Sequence, residues 1–196
     1  MRIRRDLKIP PTKQFMAAKV IDITQYSPKS LDIFFFDNSV WMYLFCPLGS
    51  YNSHKQKYYS SFLQRIKTSK STIFISSLVL SEFANRYLRM DFERWKVETN
   101  NPTAVYKRDF IGIERYNDTI EEIKRNINQI MLFCDKSHDN FNAIELNSVF
   151  QHLSIIDFND SYYIELAKLG HWEIVTDDKD FIKCPSHDLE IITSKN

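Results

Sequence analysis

Short runs of bulky apolar residues alternate along this chain with longer stretches in which apolar positions recur every three or four residues. Ile33 to Phe36 has no polar alternation, the pattern of a central parallel strand buried on both faces. Asn38 and Ser39 follow with capping chemistry, and Val40 to Phe45 reads as a short apolar helix closed by Pro47. Between Tyr51 and Lys70, residues Tyr58, Tyr59, Phe62, Leu63 and Ile66 lie at helical spacing. Thr72 to Ser76 is a second buried strand, after which Ser77 caps a helix from Leu78 to Trp95 that carries Glu82 near its start.

From Lys96 to Gly112 the periodicity weakens to a connection with one irregular helix, and it returns from Glu114 to Asn126. Gln129 to Cys134 reads as either the tail of that helix or an edge strand, and its abrupt end at Asp135, Lys136 and Ser137 favours the strand. Asn140 to His152 and Asp160 to Leu169 are further helices, the second stopped by Gly170. Glu173 to Thr176 and Leu189 to Thr193 are the last strands. Alternating strands and helices imply an α/β fold, a Rossmann-like three-layer α/β/α sandwich around a parallel sheet of about four to five strands. Residues 1–30, with Pro10, Pro11 and Pro28, read as an N-terminal extension. Residues 31–196 read as one domain with a helical insertion at about 96–127.

Hydrophobic residues at 43% and charged residues at 26% fit a globular domain rather than a disordered chain. A net charge of +1 excludes a global field that would draw the protein to nucleic acid or membrane, so any such attraction is local. Three scattered cysteines, Cys46, Cys134 and Cys184, suit a reducing compartment, and the cytoplasm is expected. Cys134/His138 and Cys184/His187 have zinc-ligand chemistry but lack the flanking turn glycines. The start MRIRRDLKIPP has no apolar core of the secretory type, and Ile33 to Leu48 is interrupted by Asp37 and Asn38, so no membrane span is expected.

The chemistry lies in four acids, each beside a different hydrophobic segment: Asp37, Glu82, Asp160 and Asp178. In a parallel sheet the site lies at the carboxyl ends of the strands, where Asp37 and Asp178 fall. Carboxylates about 4 Å apart repel by roughly 4 kcal/mol per pair at intermediate dielectric, so a cluster of four needs a cation or a shared proton. Each also has an ordinary reading: Asp37 and Asp160 as helix caps, Glu82 as a first-turn acid facing the helix dipole, Asp178 as a turn residue. Mg²⁺ or Mn²⁺ suits such an oxygen set, with water and phosphate completing the shell.

IFFFDNSVWMYL, ISSLVLSEFANRYL, DFNDSYYIELAKL and IVTDDKDF together resemble, in order and type, the acidic motifs of the PIN domain family of metal-dependent nucleases, which includes VapC-type toxins of bacterial toxin–antitoxin pairs. The resemblance covers about residues 33 to 194. It implies that Asp37, Glu82, Asp160 and Asp178 bind Mg²⁺ or Mn²⁺ and cleave RNA. It also implies that Thr176 supports the site through its hydroxyl, and that Asn38 or Ser39 donates at the helix terminus. The Thr-x-Asp spacing selects Asp178 among Asp177, Asp178 and Asp180. Asp157, three residues before Asp160, is either a supporting group or the helix cap. An antitoxin partner and a homodimer are further implications of the toxin type. The N-terminal extension and the long stretch between Glu82 and Asp157 depart from the compact toxins.

No Asp or Glu occurs from Asn38 through Ser81, a stretch that holds Lys55, Lys57, Arg65, Lys67 and Lys70, and Arg86 and Arg89 follow. Lys55, Lys57, Arg65 and Arg86 are therefore candidates to grip single-stranded or looped RNA, with Tyr51, Tyr58 and Tyr59 placed to stack on bases. A solvated helix face with core-facing tyrosines is the alternative. A non-catalytic PIN-like binding module is the competing function, although such a module commonly lacks one or more acids and this chain has four. A phosphatase pattern is set aside because Ser39 stands where its second Asp belongs. With glycine only at 49, 112 and 170, no phosphate-cradling loop is present.

Overall fold

A computed structural model describes residues 18–183 and 189–194. Six parallel strands form one sheet in the order β1-β6-β5-β2-β3-β4: β1 (Lys19–Asp22), β2 (Ile33–Phe36), β3 (Thr72–Ile75), β4 (Asp135–Lys136), β5 (Glu173–Val175) and β6 (Glu190–Thr193). The helices are α1 (Asn38–Phe45), α2 (Ser53–Ser69), α3 (Ser77–Glu98), α4 (Glu114–Ile130), α5 (Leu146–His152), α6 (Phe158–Gly170) and α7 (Lys179–Lys183). A π-helical turn covers Tyr106–Phe110 and a 3₁₀ turn covers Phe141–Ala143.

The apolar run of β2 accounts for the layering. Phe34 and Phe36 face one way and meet Phe62 of α2 at 5.5 and 6.3 Å between ring centroids, while Phe35 faces the other way and meets Tyr163 of α6 at 5.1 Å. All three rings are buried, each worth about 1.5–3 kcal/mol. β2 pairs with β3 on one side (Phe35↔Phe74) and with β5 on the other (Phe35↔Ile174). The chain fills β3 and β4 outward from β2 and then returns to β5 on its opposite flank. The point where the order reverses, between β2 and β5, is where such sheets open a crevice at their carboxyl ends.

Four expectations change. Lys19–Asp22, within the segment read as an N-terminal extension, is an edge strand paired with β6 in the register Lys19↔Glu190. Gln129–Cys134 is not a strand. The spacing of Ile120, Ile123, Ile127 and Ile130 carries α4 on through Ile130, which is fully buried, and the strand that pairs with β3 is Asp135–Lys136. The helix expected from Asn140 is divided into the 3₁₀ turn and α5. α6 runs through Gly170, and His171 takes the left-handed capping conformation (φ 54°). Gly170 is required for closeness instead: a Cβ there would lie 2.2 Å from the Trp172 ring. The stretch read as an insertion holds most of α4, which is laid against α3 and held by Arg115 and Thr119, both donating to the buried Asp91.

Candidate metal centre

β2 ends in Asp37, whose extended backbone (φ −64°, ψ 157°) makes it the N-cap of α1. Its Oδ2 accepts three hydrogen bonds: from the Ser39 amide (3.1 Å), the Ser39 hydroxyl (2.5 Å) and the Thr176 hydroxyl (3.0 Å). The capping reading of Asp37 and the metal reading are therefore compatible. One oxygen caps, and Oδ1 is left without a donor among the described residues. Thr176, at the end of β5, also accepts from the Asp178 amide (2.9 Å), so a single hydroxyl ties the two acids on either side of the crevice. Ser39, not Asn38, donates at the helix terminus; Asn38 is buried and its Oδ1 lacks a partner among the described residues.

Ser76 caps α3, one residue earlier than expected, through its side chain and the Val79 amide. Glu82 then lies beyond the first turn, which holds no acid, so its role is not that of a first-turn acid facing the helix dipole. Both its oxygens are held from α6: Asn159 Nδ2 donates to Oε1 (2.9 Å) and the buried Tyr163 hydroxyl to Oε2 (2.7 Å). Asp157 is the N-cap of α6 and accepts from the Asp160 amide (3.0 Å), which separates the two: Asp157 caps, Asp160 faces the other acids. Burial first, then the charges of Asp37, Asp157, Asp178 and Glu82, push the Asp160 carboxyl up to about 8. Burial likewise raises Asp37, against the lowering effect of its three donors.

That shift predicts a pH effect in metal-free protein. Between about pH 4 and pH 8 the folded Asp160 keeps a proton that the unfolded chain has lost, so stability falls as pH rises across this window. Allowing for partial exposure, the loss is about 1–3 kcal/mol, and Asp160→Asn should remove it. Urea midpoints measured at several pH values with a chelator present check this; equal pH slopes for the two proteins would count against the cluster.

Asp177, passed over in the sequence, is the most heavily bonded acid of the region. Its carboxylate accepts from Lys55 Nζ (2.9 Å to each oxygen), the Tyr43 hydroxyl (2.9 Å), the Tyr59 hydroxyl (3.0 Å) and the Ser194 hydroxyl (3.2 Å). This knot ties α1, α2 and the end of β6 to the residue before Asp178. Lys55 is thereby committed to an ion pair. Arg65 is committed too, donating to the carbonyls of Tyr26 and Ile23 (2.6 Å each) and lying over the Phe62 ring. Of the four cations expected to grip nucleic acid, Lys57 and Arg86 are exposed. Cys46 and Cys134 are buried free thiols, and Cys184/His187 lie outside the described residues.

The donor set around the crevice is all oxygen. No group of three or more His, Cys, Asp or Glu among the described residues forms a ready-made metal cage. Asp37 Oδ1, Asp178 Oδ2 and the Asp160 carboxylate nevertheless accept no hydrogen bond among those residues. Such an open set fits a hard cation that keeps several waters. No helix of the described residues is long and apolar enough to cross a membrane.

A family model described as PIN domain matches residues 34–185. The chain has the fold of VapBC2 from Rickettsia felis, solved bound to a DNA fragment from their promoter, at a TM-score of 0.50 and 16% identity over 82% of this chain and 98% of that one. PAE2754 from Pyrobaculum aerophilum aligns at a TM-score of 0.44 and 13% identity, over 86% of this chain and 90% of that one. No curated protein matches. PIN domains are generally nucleases that use divalent metal ions. With the match running from β2 past α7 and taking in all four acids of the crevice, this chain belongs to the PIN domain family.

Proposed function

We propose that this protein is a metal-dependent endoribonuclease that hydrolyses RNA phosphodiester bonds, with Mg²⁺ or Mn²⁺ held by Asp37, Glu82, Asp160 and Asp178. The observation that supports it most is that the charges of Asp37, Asp178 and Glu82 bear on Asp160 beside the reversal of strand order, with open oxygens on Asp37 and Asp178. A cation bound there would activate a water, neutralise the scissile phosphate and stabilise the leaving oxygen. The protein's own part is to hold the acids still. Thr176 and Ser39 fix Asp37, Asn159 and Tyr163 orient Glu82, and the Asp157 cap sets the start of α6 so that Asp160 points inward. A finer reading, motivated by the fold shared with VapBC2, is that the chain is the toxin of a toxin–antitoxin pair, forming a homodimer and bound by an antitoxin protein.

Mn²⁺ titration separates the nuclease from a binding-only domain. At a metal concentration one hundred times Kd, linkage adds about 2.7 kcal/mol, which for a chain of this size raises Tm by about 5–11 °C. The same additions should switch on cleavage of single-stranded RNA, and EDTA should stop it. A flat Tm together with no cleavage in either metal would sink the proposal.

A further inference from the structure

On the α1 and α2 side of the acids lies an open cleft of about 500 Å³ that shares Ser39 and Asp178 with the metal centre. Tyr43 and Tyr51 form one wall, their ring centroids 4.8 Å apart and the planes tilted by 46°. Both rings are set in place. The Tyr43 hydroxyl is held by Asp177, and the Tyr51 ring covers Gly49, where a Cβ would lie 2.3 Å from Cζ.

The cations of the cleft divide into two kinds. Lys55 and Lys183 neutralise Asp177 and Asp180, at 2.9 and 2.6 Å. Arg86 and Lys179 are exposed and have no acidic partner among the described residues. Arg86 stands four residues after Glu82 on α3, and so on the same face of that helix as a residue of the metal centre. The cleft therefore combines uncommitted positive charge, a preset aromatic wall and a direct opening onto Asp178 of the metal centre.

We infer that this cleft is the subsite for the nucleotide next to the scissile phosphate in a single strand, with Arg86 taking its phosphate and an unpaired base resting against Tyr43 and Tyr51. The inference rests on the nuclease reading and adds the residues that hold the neighbouring nucleotide and the direction in which the strand leaves the metal. A ring against the base requires the base to be unpaired, which a duplex does not offer. It also separates charge that touches the strand from charge that only lies near it: Lys57 is exposed on α2 but does not line the cleft.

Binding of a labelled single-stranded oligoribonucleotide, followed by anisotropy in EDTA so that nothing is cleaved, tests the inference. Arg86→Ala should raise Kd about tenfold and lower the slope of log affinity against log salt by about 0.7, one phosphate contact on a single strand. Lys57→Ala should change Kd less than twofold, and a fully paired duplex of the same sequence should compete poorly. The subsite is overturned if Arg86→Ala binds like wild type, if Lys57→Ala loses as much, or if duplex competes equally. Cleavage by the wild type in Mn²⁺ is scored separately. Cleavage that persists while Arg86→Ala binds normally removes the subsite and leaves the nuclease reading intact; absent cleavage in either metal together with a flat Tm removes the nuclease reading and, with it, this subsite.

Discussion

Asp37→Asn should lower RNA cleavage by about 10³-fold or more while leaving the fold intact. Partners that only support a metal ligand typically cost 10- to 100-fold when removed, and Asp37 is proposed to bind the cation itself. The amide keeps the shape of the carboxylate, and its oxygen still accepts from the Ser39 amide, the Ser39 hydroxyl and the Thr176 hydroxyl. What it removes is a charge held in a buried place, and burial is the main influence that raises this carboxyl. In EDTA the variant should therefore melt at or above the wild-type temperature, and on adding Mn²⁺ it should lose most of the stabilisation. Loss of cleavage with a normal melting curve assigns Asp37 to the metal. A highly purified variant that still cuts RNA at the wild-type rate would show that the centre is elsewhere.

The second large effect concerns stability. Asp177→Ala should cost about 3–5 kcal/mol and lower Tm by about 6–20 °C. The Lys55 and Asp177 side chains are only 17% and 11% exposed, so the pair is not of the weak surface kind, and truncating the acid strands a buried ammonium and three hydroxyl donors. Lys55→Met should be milder, about 1–3 kcal/mol, because Asp177 keeps the hydroxyls of Tyr43, Tyr59 and Ser194. Thermal melts of the two variants rank them. An Asp177→Ala protein that melts within 2 °C of wild type would mean that the knot contributes little.

The central strands were legible because near-continuous apolar runs, IFFF, TIFI and EIV, mark strands covered on both faces. The edges were not. KVID of β1 carries charge and lies among prolines, and β4 is Asp135 and Lys136, with no apolar residue to signal a strand. Both join the sheet through backbone pairing, which side-chain pattern does not report. At the site, the four acids stand out as candidates from their place beside strands and helices, and the resemblance names Ser39 and Thr176 beside Asp37, whereas the groups that hold Glu82 left no signal. Asn159 and Tyr163 reach Glu82 across more than seventy residues of sequence. Charge counting misjudged Lys55 and Arg65 for the same reason. The acid that binds Lys55 is 122 residues away, and Arg65 is held by carbonyls, which carry no charge to count. The choice between Asp157 and Asp160 needed the cap geometry itself.

The strand order carries a consequence for biosynthesis. Asp37 and Glu82 are made early, but Asp160, Asp178 and the partner of β1 are made late, and β1 waits for a strand 171 residues downstream. A nascent chain therefore holds only two of the four crevice acids until α6 and the residues after β5 have been made. The crevice between β2 and β5 cannot form before β5 has been made, because the two strands that flank it lie far apart in the sequence.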